Sequence, residues 1–553
     1  MSQKYVEISK KRIALSLLIV VAISIIFKMY LIDFSTFPSE DAIGHILHGI
    51  GHTNGNFEPI PAKTLGWSIF LSPFFSLMDS ENFLEYSNLA KILSVIISIS
   101  SIFAIYKLGR KFFPQKYALV VASLFAFEPH LNYNSVQALT EPLYILIFII
   151  SFYFILSQNA RFQYISFVLV GILWWIRWPG IIMLIVISII FFYNSKISTK
   201  SFAKYALCIG LFLLIVSPML INRNNEFGDP LYFDMGSKFF TGEFSTLQSE
   251  DTVDLEYSAI DFINERGIFE FFDRFILTGI FNVLEQLVRI AFPYLIILLP
   301  LGIIFSFRAF DQNSKFIKSN WILILVTLGA MIVTFAVISE RRFLYYLFPF
   351  LIIFATIPIQ RLIEYGLSTF SFSDKQKNYS LVVILAIVII LSSTFMLRYD
   401  TEDSFEQKEK LIFAEFLMSN LSGKIVDSGN SLEGMSYAKL SDVNTKFRDV
   451  GSNGIFKNIL KDDKLEQISL SGNSLEDFIL NGERYELKYI SINKDGVMEI
   501  WYPYLNKIFG NEEKYPFLKK IVDSRDLGLT HFDVKVFEID YEKFHQVKSQ
   551  LEL

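Results

Sequence analysis

Long runs of apolar residues recur along the first 400 residues, separated by short polar stretches, and they lack the stripes of soluble amphipathic helices. A helix that crosses a hydrocarbon core needs about 17–25 mostly apolar residues. Such runs fall at about 13–32, 84–106, 117–134, 141–157, 163–177, 178–193, 204–222, 288–307, 320–338, 343–360 and 379–397, which predicts about 11 membrane spans. Pro179 breaks the pattern between two of them, so 163–193 reads as two spans or as one bent excursion. Beyond residue 397 the pattern changes. Glu406 to Asn420 is helix-like, whereas Leu487–Ile492 and Val534–Ile539 are short strand-like runs between turn residues. Asn222 to about Gln286 is polar with amphipathic stretches such as Ile268–Phe275, expected to lie along the membrane surface. The fold class is therefore mainly α. A polytopic helix bundle (1–397) is followed by a soluble extracytoplasmic α/β domain (398–553), large enough for its own core.

Composition agrees with that reading: 52% of the 553 residues are hydrophobic and 57 are Phe, more than a soluble chain of this length sustains. The single cysteine, Cys208, lies in an apolar run, so neither a disulfide framework nor a Cys-based metal site is expected. A net charge of −5 argues against nucleic acid as a partner. Basic residues set the orientation. Clusters at Lys4–Arg12, Lys107–Lys116, Arg161, Lys196–Lys204, Arg308–Lys318 and Arg361–Lys377 alternate with loops holding only Lys63, Arg177, Arg341 and Arg342. This predicts a multi-pass protein of the cell membrane with a cytoplasmic N-terminus and the 398–553 domain outside. The first run is too long for a cleavable signal and is expected to be a signal anchor.

Candidate chemistry gathers after that first run. Glu40 and Asp41 stand a few residues past it, where ionisable groups are costly unless they serve a site. Ser39 or Asp41 also suits a helix N-cap before Ala42–Leu47, and the residues alone leave both readings open. His45, His48 and His52 follow Asp41 at i+4, i+7 and i+11, one face of a helix, a spacing at which imidazoles can share a divalent metal. Gly49 and Gly51 count against a regular helix there. His130 lies in Phe127-Glu-Pro-His130, and Glu141 with Pro142 opens another run, a placement that helix-start preferences alone would explain. Lys63, Arg177, Arg341 and Arg342 run against the charge bias. A planar guanidinium suits phosphate, and snorkelling to headgroups explains one arginine better than an adjacent pair.

In order and topology these segments resemble the C-type membrane glycosyltransferases, the group containing protein O-mannosyltransferases and the lipid A aminoarabinose transferase. The resemblance is carried by Glu40-Asp41, His45, Gly49-Ile-Gly51 and Pro59-Ile-Pro61 leading to Pro73. It continues in Asn132 through Glu141-Pro142-Leu143, in Ile176-Arg-Trp-Pro-Gly180 and in Glu340-Arg-Arg-Phe-Leu-Tyr-Tyr-Leu-Phe-Pro349. It spans about residues 13–400. The acidic pair reads Glu-Asp where both named families have Asp-Glu; Asp41 is favoured because lone-Asp members place it four residues before an aromatic or His, as Asp41 stands to His45. The Trp-Trp-Asp-Tyr-Gly signature of oligosaccharyltransferases is absent, so block transfer of an oligosaccharide to asparagine is not expected.

The resemblance implies inverting transfer of a sugar from a polyprenyl-phosphate donor to a protein, lipid or glycan acceptor at the outer face. It implies Asp41 as general base with Glu40 beside it, and His45, Lys63, His130, Glu141, Arg177, Arg341 and Arg342 as substrate-binding residues. No cofactor is required, and a divalent metal on His45, His48 and His52 stays open. The implied partners are the lipid-linked donor, membrane lipids and the acceptor. Two other classes compete. A transporter would show internal duplication and broken helices in matched positions. A non-catalytic assembly protein would not need acids and arginines converging from four loops.

Overall fold

The computed structural model describes residues 10–61, 63–195, 197–242, 247, 256–307, 314–400, 403–428, 432–441, 464–494 and 502–548. The chain enters through α1 (Lys10–Leu31), then forms α2 (Glu40–Thr53) and α3 (Gly66–Phe75) before α4 (Phe83–Phe112). Next come α5 (Gln115–Ala126), α6 (Pro129–Ser135), α7 (Glu141–Ile155), α8 (Ala160–Ile176), α9 (Gly180–Asn194) and α10 (Thr199–Phe227). Asn82 and Ser198 accept main-chain N–H groups at the starts of α4 and α10, satisfying donors that the first turn leaves open.

Every apolar run read from the sequence is helical, but the helices differ in reach. Among the described residues, six are long and apolar enough to cross a membrane: Lys11–Leu31, Phe83–Phe112, Thr199–Phe227, Ser314–Val337, Arg341–Thr369 and Asp374–Arg398. A seventh is added if Ile268–Ala291 and Leu295–Phe307, bent by 115°, count as one span. The remaining runs form α5, α7, α8 and α9, which are shorter, so about 11 full-length spans is not what the helices show. At about 1.5 Å per residue, a helix of 15 residues such as α7 covers about 22 Å, short of the roughly 30 Å core. Polar breaks cause the shortening. Glu128-Pro129 ends α5 and starts α6, since the Glu128 carboxylate caps the new helix and proline suits its first position. Arg177 takes an extended conformation that ends α8, and a Cβ at Gly180 would overlap the main chain of Trp174, so only glycine lets α9 fold back against it.

The Ile268–Ala291 segment keeps the amphipathic character expected of it. Phe269, Phe272, Phe281, Leu284 and Val288 are exposed, while Phe275, Val283 and Ile290 are buried.

The C-terminal segment holds a five-stranded sheet ordered β2-β1-β3-β5-β4: β1 (Gly423–Asp427), β2 (Leu465–Gln467), β3 (Leu487–Asn493), β4 (Leu518–Asp523) and β5 (Val534–Ile539). The β1–β2 and β1–β3 pairs are parallel. β5 runs antiparallel to both β3 and β4, with Ile490 opposite Phe537. Alternate residues serve opposite faces. Val426, Ile490 and Phe537 pack with Phe478 and Ile479 of the helix Leu475–Arg484, whereas Ile425, Tyr489 and Val536 pack with Phe413 and Leu417 of Asp403–Asn420.

This segment is not detached from the bundle. Tyr437, on the helix Glu433–Ser441, stacks on Phe37 with ring centroids 5.1 Å apart and meets Phe83 edge-on at 6.4 Å. The sheet-bearing segment and the loop that carries α2 therefore share one face of the protein.

Candidate active site

α2 is a regular helix through Gly49 and Gly51, contrary to what two glycines suggest. The reason is close packing: a Cβ at Gly49 would lie 2.9 Å from the Phe75 ring, so glycine lets α2 sit down on α3. Asp41 is thereby placed in the first turn of α2. Its Oδ1 accepts from Lys63 Nζ at 2.8 Å, and its Oδ2 accepts from Arg342 Nη1 at 2.6 Å. Arg342 also pairs through Nε with Glu340, and it lies in the 3-10 turn Arg341–Leu347 that precedes the helix Phe348–Arg361. A second pair, Arg177 with Glu141, joins the end of α8 to the start of α7. The Phe343 ring links the two, with the Arg177 guanidinium 5.4 Å from its centroid and that of Arg342 at 5.7 Å. Residues from five separate segments thus converge.

The two pairs differ in exposure, and that difference separates their roles. The Asp41, Lys63 and Arg342 side chains are 36%, 34% and 30% exposed, whereas Glu141 is 2% and Arg177 17% exposed. The first group can exchange partners with an incoming charge. The second is fixed, because parting a buried pair leaves an uncompensated charge. Lys63 above all, and then Arg342, hold the Asp41 carboxyl well below the usual carboxylate range. Asp41 is therefore ionised, and it is a weak proton acceptor while both cations stay on it.

Burial, with Lys63 nearby, keeps His45 well below the ordinary imidazole value, and burial pushes His48 down to about 3. His45 faces Ser68 Oγ at 3.4 Å through Nδ1, and His52 Nδ1 meets the Asn56 carbonyl at 2.6 Å. Among the described residues no three His, Cys, Asp or Glu side chains are arranged to hold an ion. Both Asp41 oxygens face cations, which repel a divalent metal. The spacing that puts His45, His48 and His52 on one helical face thus does not bring three ligand atoms together among the described residues.

Of the other residues singled out from sequence, Glu40 starts α2 but its side chain lies outside the described residues. His130 is buried in an aromatic box of Tyr345, Phe348 and Phe395, at centroid distances of 5.8, 6.2 and 5.1 Å, and no contact joins it to Asp41 among the described residues. Arg341 is exposed, and of the arginine pair only Arg342 makes ion pairs among the described residues. Glu340 and Phe343 lie in the Glu340–Pro349 segment that carries the resemblance but were not singled out as site residues, and Ser68 shows no pattern of its own. Sequence reasoning also passed over Lys91, whose signal was available as an ionisable residue inside an apolar run.

Over 91% of its length the chain shares its fold with an oligosaccharyltransferase of Archaeoglobus fulgidus in a crystal structure with zinc and sulfate, at a TM-score of 0.56 and 14% identity, covering 71% of that chain. For the archaeal oligosaccharyltransferase from the same organism in complex with an inhibitory peptide and a dolichol-phosphate, the TM-score is 0.54 at 12% identity, covering 92% of this chain and 73% of that one. Such identities establish fold and not activity. The chain has the fold of these oligosaccharyltransferases, and with several apolar helices it is a multi-pass membrane protein. More narrowly, residues 82–221, which hold Glu141 and Arg177, match the family described as dolichyl-phosphate-mannose-protein mannosyltransferase. No curated protein matches the chain in sequence.

Proposed function

We propose that this protein is an inverting membrane glycosyltransferase that moves one sugar from a polyprenyl-phosphate donor to an acceptor hydroxyl at the extracytoplasmic face. The observation that carries the reading is the Asp41 carboxylate with both oxygens on exchangeable cations, Lys63 and Arg342, beside the fixed Glu141–Arg177 pair. An ordinary structural ion pair does not need two cations on one half-exposed carboxylate, since exposed pairs stabilise a fold by only about 0–1 kcal/mol each. The donor's phosphodiester carries one negative charge, as a carboxylate does, and offers the same cations two acceptor oxygens; the monoester that leaves carries more charge and holds them more strongly.

The reaction follows from that exchange. The donor's phosphate takes Lys63 and Arg342 from Asp41, and the freed carboxylate returns toward its ordinary proton affinity. The acceptor hydroxyl attacks the anomeric carbon from the face opposite the phosphate, and Asp41 takes its proton. The bond from the anomeric carbon to the phosphate oxygen breaks, and the electron pair leaves on polyprenyl monophosphate, whose charge rests on Lys63 and Arg342. One displacement inverts the centre, with the oxocarbenium character usual in glycosyl transfer. The lipid class is supported by the family match and by the archaeal structure holding a dolichol-phosphate. Mass spectrometry of lipids retained by the purified protein is expected to find a polyprenyl-phosphate sugar or polyprenyl monophosphate. Retention of neither, at protein-to-lipid ratios that keep the fold, would count against this donor.

The alternation of basic residues supports an outer α2 face, and the Tyr437–Phe37 contact supports the same side for the C-terminal sheet. A reporter that works only in the cytoplasm, fused at the C-terminus, is expected to be silent. Strong reporter signal would invert the topology and remove the site from the proposed donor's side.

A further inference from the structure

Lys63 must be held by something other than its own flexible stem, and the chain just before it shows what. We propose that Arg223 is a positioning residue: by gripping the main chain at Ile60 and Pro61 it sets the Lys63 ammonium against Asp41. The inference rests on the reading of Lys63 given above.

Arg223 lies near the end of α10 and is 2% exposed. Its Nη1 donates to the Ile60 carbonyl at 2.9 Å and its Nη2 to the Pro61 carbonyl at 3.1 Å, and Nη2 also donates to the Tyr232 carbonyl. The guanidinium is seated over the Trp178 ring at 4.9 Å and the Phe227 ring at 5.2 Å. Next to it, Asn222 Nδ2 donates to the Phe57 carbonyl at 2.7 Å. Both Nη atoms of this buried cation are spent on main-chain carbonyls and only Nε lacks a hydrogen-bond partner, so no two-pronged face is left for a substrate phosphate. It can fix the Pro-rich segment, because two acceptors of that segment and the Tyr232 carbonyl lie around one rigid plane. Lys63 follows Pro61 by two residues and reaches Asp41 at 2.8 Å.

The entry to the same loop is held in the same manner. Lys91, buried in α4, donates to the Asp33 and Thr36 carbonyls at 2.7 and 2.9 Å, and Asn88 donates to that of Phe34 at 3.0 Å. A solely structural role for Arg223, pinning α10 to the loop, would cost stability without regard to Lys63. A positioning role ties its effect to Lys63.

The test uses the full-length purified protein with Arg223→Lys, Lys63→Met and the double variant. Arg223→Lys is expected to lower kcat by about 10- to 10²-fold with little change in the donor KM, as a small misplacement of a charge felt in the transition state does. In the Lys63→Met background the same change is expected to alter kcat by less than about twofold, because the two act through one interaction. Additive losses would overturn the proposal. A second readout does not depend on catalysis. Cys208 is buried, so a nitroxide on Lys63→Cys reports position 63 selectively. Its spectrum is expected to be ordered with Arg223 present and mobile with Arg223→Lys. An unchanged spectrum would overturn the positioning role whatever the enzyme transfers, whereas a mobile label, together with an unlabelled wild-type protein that transfers no sugar from a polyprenyl-phosphate donor, would leave positioning standing and refute the functional reading. If Arg223→Lys does not fold, Asn222→Ala, which releases only Phe57, is expected to loosen the label by a smaller amount; no loosening overturns the proposal.

Discussion

Asp41→Asn is expected to lower sugar transfer by about 10²–10⁴-fold, the usual worth of a general base, with the thermal transition nearly unchanged. Asn preserves the shape of the side chain, and Ser39 rather than Asp41 is the N-cap of α2, so the first turn survives. The variant does lose the ion pairs to Lys63 and Arg342. These are half-exposed pairs, worth about 0.2–1 kcal/mol each, whereas a loss of 10²–10⁴-fold corresponds to about 2.7–5.5 kcal/mol of transition-state free energy. The two quantities are far enough apart that a structural effect cannot imitate the catalytic one. Glu40→Gln, in the neighbouring position, is expected to be the milder change. If Glu40→Gln is the severe variant and Asp41→Asn is mild, the roles of the two acids are reversed; if both transfer at wild-type rate, α2 does not carry the chemistry.

Arg342→Lys is expected to reduce turnover on the order of 10²-fold, the scale of removing one preorganised donor from a developing anion. Lysine keeps the charge but not the fork that lets one guanidinium face Asp41 through Nη1 and Glu340 through Nε. Arg341→Lys serves as the contrast. That side chain is exposed and forms no ion pair among the described residues, so its replacement is expected to change turnover by no more than about twofold. Wild-type turnover in Arg342→Lys would mean that the guanidinium only steadies the 3-10 turn. A large loss in Arg341→Lys would move the phosphate site toward His130 and its aromatic box.

Much of this was legible in the residues. Hydropathy located each membrane-facing helix, and β5 spans Val534–Ile539, the run read as a strand. What hydropathy could not supply was helix length. A run such as 117–134 is continuous in apolar character, yet Glu128 and Pro129 divide it because one caps a new helix and the other cannot continue the old one. Charge bias marked Lys63, Arg177 and Arg342 as out of place, and all three converge on acids.

The same signal marked Arg341 equally, and nothing in one dimension separates two adjacent arginines. The turn between Glu340 and Phe348 decides which one meets Asp41. The histidine spacing was a true helical face but a misleading one. Three rings on one face meet an ion only if their nitrogens converge, and here Ser68 and the Asn56 carbonyl take two of them. Arg223 escaped notice because its partners are main-chain carbonyls, and a carbonyl has no signature in sequence.

The central claim is that Asp41, Lys63 and Arg342 serve release of a sugar from a lipid phosphate. The most direct measurement incubates purified protein with a polyprenyl-phosphate sugar and a membrane extract as the acceptor source, following free polyprenyl monophosphate and the anomeric configuration of the product. Wild-type protein is expected to release the monophosphate in step with product of inverted configuration, and Asp41→Asn is expected to abolish both together. Retained configuration, or equal release by wild type and Asp41→Asn, would contradict the claim.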